Sequence, residues 1–310
     1  MSSKIHIGIS GWRYAPWRGD FYPRGLAQKD ELAFASRAVG SIEINGSFYA
    51  LQTPERYAGW AARVPEEFVF SVKAPRFITH VRRLRDIHEP LANFFASGLF
   101  QLGRKLGPIL WQFPPSFQFD PALFEQFLAQ LPHQGRMARQ LARDCNERLR
   151  REGYLDIPAD AALRHCVEIR NASFLDPAFV TLLRRHNVAL VVADTAGKWP
   201  WVEELCADFV YVRLHGDQQL YASGYSDQAL ERWGQRIELW RRGRQPADAR
   251  RIPGFQDLER DRGGARDVYC YFDNDIKVRA PYDARQLLER LDLADTLAVQ
   301  PGHLPEGDWQ

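Results

Sequence analysis

Polar side chains of chemically useful types recur at the ends of short apolar runs in this chain. "SIEIN" (41–45) sets Glu43 and Asn45 opposite two isoleucines, and "FVFSVK" (68–73) ends on Lys73. "ILWQF" (109–113) holds Gln112, and "CVEIR" (166–170) carries Glu168 and Arg170. "ALVVAD" (189–194) ends on Asp194, "FVYVRLH" (209–215) carries Arg213 and His215, and "VYCYFD" (268–273) ends on Asp273, with Asn274 next. Strict alternation is the period of a strand, so the polar members of a run share one face. Several chemistries use such residues. Paired carboxylates such as Glu43 and Glu168 serve as general acid and base. A lysine amine such as Lys73 serves as a nucleophile when its pKa is depressed. Arg170 and Arg213 match a phosphate or carboxylate. Carboxylates with one imidazole suit a divalent metal.

Those residues need a frame that brings strand ends together. With "IHIGIS" (5–10) there are eight apolar runs, and helix-like segments separate most of them. "DPALFEQFLAQL" and "DPAFVTLLRRHN" open on Asp120 and Asp176, which are expected helix caps. Only the sixth connection, "KWPWVEELC", is short. Strands alternating with helices specify a parallel sheet, and eight of them specify a closed TIM (β/α)8 barrel. A doubly wound open sheet is the rival, but "GISGWRYAPW" lacks its glycine-rich phosphate turn. Isoleucine and valine are expected to face the helices. The other face then carries His6, Gly8, Ser10, Ser41, Glu43, Asn45, Ser71, Lys73, Gln112, Cys166, Glu168, Arg170, Asp194, Arg213, His215 and Asp273. Most of these close their strands, on the face where barrel active sites are built. Lys73, Arg170 and Arg213 can offset Glu43, Glu168, Asp194 and Asp273. A mutually paired ion network that serves only packing is the bland alternative.

Three mechanisms compete for this constellation. A retaining or inverting glycosidase needs two carboxylates ~5–10 Å apart, and Glu43 and Glu168 arise across the barrel from one another. A metal site at Glu168, Asp194, His215 and Asp273 is similar to the xylose-isomerase-like barrels, but Arg170 and Arg213 would compete with a cation there. Metal-free acid–base or Schiff-base work is the third. Nearby carboxylates are expected to raise the pKa of Lys73, which favours it as a charge partner or anion clamp. Aromatics in the loops after the strands (Trp12, Tyr14, Trp17, Phe48, Tyr49, Phe77, Trp199, Trp201, Tyr221 and Tyr225) offer flat faces to a sugar ring or base. "YASGYSD" (221–227) has the composition of a mobile binding loop.

The whole-chain properties narrow the setting. At 310 residues with 45% hydrophobic and 26% charged residues, the chain has a soluble globular composition and one barrel domain is expected over 1–310. Two arginine-rich inserts, about 133–165 and 243–267, exceed a minimal barrel. A net charge of +2 argues against a nucleic-acid partner. Cys145, Cys166, Cys206 and Cys270 form no C-x-x-C pair, so a reducing compartment is expected, with Cys166 and Cys270 as buried thiols. No apolar run reaches the ~18 residues of a membrane span, and "MSSKIHIGIS" enters a strand at once. A cytoplasmic protein without a membrane partner is the expectation. Composition assigns neither a cofactor nor an oligomeric state.

Eight ordered motifs carry a family resemblance. "IGISGWRYAPWRGDFYPRGL", "IEINGSFYALQTPE", "FSVKAPRFITH", "LGPILWQFPPSF", "VEIRNASF", "VALVVADT", "FVYVRLHG" and "YFDND" together resemble the YecE-like family, a domain family of unknown function. The resemblance implies a TIM-type barrel and no established reaction. Its motif residues fall on Trp12, Glu43, Asn45, Phe48, Tyr49, Lys73, Gln112, Glu168, Arg170, Asp194, Arg213, His215, Gly216, Asp273 and Asn274.

The resulting expectation is an enzyme that takes a small anionic or polyhydroxylated, sugar- or nucleotide-like ligand at the barrel mouth. Glu43, Glu168, Lys73 and Asp273 would be catalytic. Trp12, Asn45, Tyr49, Gln112, Arg170, Asp194, Arg213, His215 and Asn274 would bind the ligand, with no metal. A divalent-metal isomerase or phosphodiesterase is one alternative. A non-catalytic module that binds nucleic acid or protein is the other.

Overall fold

Runs of β-branched and aromatic residues make the strands, as their fit to a pleated, half-buried surface requires. The computed structural model describes residues 3–254 and 264–304. Its strands are β1 (Ile5–Ser10), β2 (Ser41–Ile44), β3 (Val69–Lys73), β4 (Leu106–Gln112), β5 (His165–Glu168), β6 (Ala189–Asp194), β7 (Phe209–Leu214) and β8 (Asp267–Phe272). They pair in parallel and in chain order, and β8 closes on β1. The fold is therefore the expected (β/α)8 barrel. β5 ends at Glu168, so Arg170 starts a loop instead of ending a strand.

The helices are α1 (Glu31–Ala38), α2 (Gly46–Tyr49), α3 (Pro54–Arg63), α4 (His88–Phe95), α5 (Pro121–Gln130), α6 (Gly135–Ala142), α7 (Pro177–Arg185), α8 (Asp227–Arg241) and α9 (Arg279–Arg290). Asp120 caps α5 by accepting from Leu123 N at 3.1 Å, and Asp176 caps α7 by accepting from Ala178 N at 2.8 Å. Each cap satisfies an amide that the first turn leaves unpaired. The segment between β3 and β4 is not one continuous helix. Gly98 (φ 99°) turns the chain after α4, where an added Cβ would lie 2.5 Å from Pro54 Cα, and a 3-10 segment, Leu99–Lys105, follows. Between β6 and β7 the described chain forms no helix, in line with the short sixth connection.

Side-chain parity divides the core in two. Ile9, Ile42, Val72, Trp111, Val167, Val192, Val212 and Phe272 pack outward against the helices. Leu110, Cys166, Ala189, Val191, Ala193, Tyr211, Tyr269 and Tyr271 fill the barrel interior. Cys166 and Cys270 are buried as expected, and Cys206 is buried with them. β1 and β2 approach closely at Gly8, where a Cβ would sit 1.7 Å from Ser41 O, so only glycine fits.

The first arginine-rich insert lies against α4. Tyr154 N donates to Ala96 O at 2.9 Å, Asn146 N donates to Asn93 Oδ1 at 2.9 Å, and Arg151 reaches the Gln52 and Ser97 carbonyls. In the second, residues 255–263 lie outside the described residues. Its first part is held by two buried carboxylates: Arg250 N donates to Glu203 and Ile252 N to Glu204. Among the described residues no helix is long and apolar enough to cross a membrane.

Candidate active site

Inward parity on β2, β5 and β7 brings Glu43, Glu168 and Arg213 together at the C-terminal end of the barrel. All three are fully buried. Arg213 Nη1 donates to Glu168 Oε2 at 2.6 Å, and Nη2 donates to Glu43 Oε1 at 2.9 Å, Ser10 Oγ at 3.0 Å and Asp273 Oδ2 at 3.0 Å. Glu43 also accepts from Ser10 Oγ, and from Tyr211 Oη at 2.6 Å. Glu168 Oε1 lies 2.7 Å from both Nε and Nη2 of Arg170. His215 Nδ1 lies 3.0 Å from Asp273 Oδ2. Every oxygen of Glu43 and Glu168 is thus engaged, and one guanidinium serves three carboxylates. Such a cluster persists only because each buried charge is paired and hydrogen-bonded.

Above this floor opens a cavity of about 1050 Å³. Lys73 and Gln112 reach it from β3 and β4, Arg170 and Asp273 from just beyond β5 and β8, Trp12 and Asn45 from loops and Tyr49 from the end of α2. Asn45 Nδ2 donates to Ser10 Oγ at 3.0 Å, and Gln112 Nε2 donates to Phe113 O at 2.8 Å. Lys73 is half-buried, with Nζ 4.3 Å from the Phe48 ring centroid. Among the described residues no carboxylate comes within ion-pairing distance of Lys73, Arg13 or Arg76, and all three line the cavity. A smaller cavity of about 390 Å³ adjoins it, sharing Phe48, Tyr49 and Arg76. Tyr49 is 73% exposed and lines both.

The two levels titrate differently. Burial would raise the Glu168 carboxyl, but Arg170 and Arg213 hold it well below the usual carboxylate range. Burial likewise opposes Asp273, and Arg213 and His215 hold that carboxyl low as well. At the cavity the balance reverses. Burial and then the Arg213 charge lower Lys73 to about 8, outweighing the opposite pull of Glu43, Asp273 and Glu168. Burial and the Asp273 charge raise Asp275 to about 6. Burial, with Lys73 and Arg76, lowers His80 to about 4, so this cavity imidazole is neutral at pH 7.

Several expectations need correction. Lys73 does not pair with the carboxylates, because Arg213 takes them first, and its pKa falls where a rise was expected. Glu43 and Glu168 do not line the cavity; they are saturated beneath it, a poor position for a general acid or base. Arg213 and His215 also lie in the floor, fully buried. Asp194 has the wrong parity. β6 points Ala189, Val191 and Ala193 inward, so Asp194 turns to the Tyr225 hydroxyl at 3.2 Å and Ala196 N at 3.3 Å. Asn274 turns away too, donating to Asp283 Oδ2 at 2.7 Å and Ser223 O at 2.9 Å. Glu168, Asp194, His215 and Asp273 therefore do not form one ligand set, and no metal-binding group of three His, Cys, Asp or Glu occurs among the described residues.

The loop aromatics divide as well. Trp12, Tyr14, Phe48, Tyr49 and Tyr221 line the cavity. Trp17 and Tyr225 are buried, Trp201 stacks on Trp233, and Trp199 covers the Arg170 guanidinium at 3.9 Å. Tyr221, in "YASGYSD", is held in the left-handed region (φ 62°), with its amide on His215 O. Arg13, Arg56, Trp60, Arg76, His80 and Asp275 are cavity residues that strand parity could not find, because they lie in loops, on α3 or, for His80, in the short π-helical segment Phe77–Val81. His80 and Asp275 stand within or directly beside the family motifs "FSVKAPRFITH" and "YFDND", which was the available signal.

Comparison with known proteins agrees with this architecture. A profile of the family described as "Protein of unknown function DUF72" matches residues 6–307. "UPF0759 protein YunF" of Bacillus subtilis is 33% identical over 121 residues, 36% of this chain and 41% of that protein. "UPF0759 protein YecE" of Escherichia coli K12 is 30% identical over 130 residues, 41% of this chain and 44% of that one. The matched stretch thus spans less than half of each curated relative. A DUF72 family crystal structure from Thermotoga maritima superposes with a TM-score of 0.69 at 22% identity, covering 93% of this chain and 99% of that one. One from Enterococcus faecalis superposes with a TM-score of 0.62 at 17% identity, covering 98% and 100%. At these identities the likeness is one of fold.

Proposed function

The chain belongs to the DUF72 family, whose activity is not established, and we propose that it is an enzyme that binds a small anionic ligand at the barrel mouth and transfers protons there through Lys73 and Asp275. One observation carries this reading: Lys73, Arg13 and Arg76 line a single cavity with no carboxylate partner among the described residues. Cations gathered without an ion-paired carboxylate favour an anion between them. The lining rings of Trp12, Tyr14 and Tyr49 offer faces for a sugar or base attached to that anion.

The catalytic assignment moves from the floor to the cavity wall. General acid–base groups work best with pKa values near the operating pH. Lys73 at about 8 and Asp275 at about 6 meet that condition on the cavity surface. Glu168 does not, because it is locked by two guanidiniums. Glu43, Glu168 and Arg213 act in this reading as the rigid base that places Asp273 and keeps carboxylates away from Lys73. A crystal soaked with inorganic phosphate tests the reading. Phosphate held by Lys73 Nζ and the Arg76 guanidinium is expected; phosphate bound elsewhere and absent from this cavity would contradict it.

A further inference from the structure

The cavity draws its positive charge from arginines with one exception. The chain contains six lysines against thirty-five arginines, yet the cation at the inner end of β3 is Lys73. Arginine stays protonated and serves as a clamp; a lysine amine can lose its proton and attack. The surroundings of Lys73 favour the second use. Nζ rests against the Phe48 face instead of a carboxylate. The carboxylates that act on it, Glu43 from β2, Glu168 from β5 and Asp273 just after β8, are each bound by Arg213 from β7. His80, from the segment after β3, packs at right angles against the same Phe48 ring, 5.1 Å between centroids, as a neutral imidazole. The base of the side chain is fixed, because Ser47 Oγ donates to Lys73 O at 2.6 Å and β3 is paired on both sides.

We propose that Lys73 is a covalent catalytic residue that condenses with the aldehyde or ketone carbonyl of an anionic substrate to form a Schiff base. This rests on the anion-binding reading above. The free amine attacks the carbonyl carbon, forming a C–N bond as the C–O π bond breaks; the nitrogen then loses a proton and the oxygen gains one, giving a neutral carbinolamine. A second proton goes to that hydroxyl, water leaves, and the nitrogen lone pair closes the C=N bond. The balance is one carbonyl compound and one lysine ammonium giving one protonated imine and one water. Asp275, on the same cavity, is the group placed to deliver the second proton. The substrate class is accordingly a carbonyl compound that also bears a phosphate or carboxylate.

Pyridoxal 5′-phosphate, an aldehyde carrying a phosphate, is a suitable probe. The full chain is incubated with it, reduced with borohydride, digested and mapped by mass spectrometry, while quenching of tryptophan fluorescence reports binding. Expected is an adduct on Lys73 in roughly tenfold or greater preference over the exposed lysines, because a lowered pKa leaves far more free amine near neutral pH. Pyridoxal without the phosphate should label Lys73 more weakly, and the Lys73→Met variant, shown to be folded by circular dichroism, should lose that adduct. Labels spread over Lys4, Lys29 and Lys198 with Lys73 unmodified, while quenching persists, would overturn the Schiff base and leave the anion site standing. Absence of both quenching and a Lys73 adduct would overturn both.

Discussion

Arg213 Nη1 lies 2.6 Å from Glu168 Oε2, and neither side chain reaches solvent. The same guanidinium engages Glu43 and Asp273, so one residue of β7 ties together the ends of β2, β5 and β8. Its second effect is on a residue it does not bond. By taking the carboxylates it leaves Lys73 without a carboxylate partner among the described residues at the cavity surface.

Replacing Arg213 by methionine should cost the fold heavily. The change leaves three buried or half-buried carboxylates without their shared cation. Breaking a buried pair in this way costs ~3–5 kcal/mol. Urea unfolding of the variant checks the value; a loss within the range of ordinary surface substitutions would contradict the arrangement.

Replacing Lys73 by methionine should act in the opposite direction. The fold lowers the Lys73 pKa to about 8, so the unfolded chain binds more protons between there and its ordinary value. Wild-type stability should therefore rise with pH through that window, and the variant should lack this component. The melting temperature of the variant near neutral pH should not fall, whereas phosphate binding should. Thermal melts at a series of pH values read both effects.

Acid should attack the floor first. Glu168 and Asp273 are held below the ordinary carboxylate range. A depressed folded-state pKa gives stability that is complete above the unfolded value, ~4, and is lost as pH falls through the folded one. Unfolding free energy should be level with respect to these two groups above ~pH 5 and fall below ~pH 4. Denaturant titrations across that range test this, and a Glu168→Gln variant should show a shallower acid dependence.

The rate of imine formation with pyridoxal 5′-phosphate should be bell-shaped in pH, with breaks at about 6 and about 8 from Asp275 and Lys73. The Asp275→Asn variant should lose the break at about 6. Absorbance kinetics of the wild type and the variant supply the comparison, and identical profiles would remove Asp275 from proton transfer.

The barrel was readable from its period. Eight alternating or apolar runs with capped helices between them left little choice of fold, and the parity of β2, β5 and β7 placed Glu43, Glu168 and Arg213 correctly inside. Parity failed at Asp194, where the run "ALVVAD" is apolar on both faces and alternation carries no information about direction. Asn274 failed because it lies beyond the end of β8, where strand period no longer applies. The working surface was the least legible part. Arg13, Arg76 and Asp275 sit on loops and His80 on the short helical segment Phe77–Val81, whose conformations are set by contacts distant in sequence. The fate of Lys73 depended on which cation reached the carboxylates first, which requires distances.

The most direct measurement is a calorimetric titration of the protein with ribose 5-phosphate and, separately, with ribose. The phosphorylated sugar should bind and ribose should not. Arg76→Ala should weaken binding on the order of tenfold, the equivalent of ~1.4 kcal/mol, and Lys73→Met should weaken it further. Equal binding of both sugars, or binding of the phosphate unchanged in both variants, would contradict an anion site at the barrel mouth.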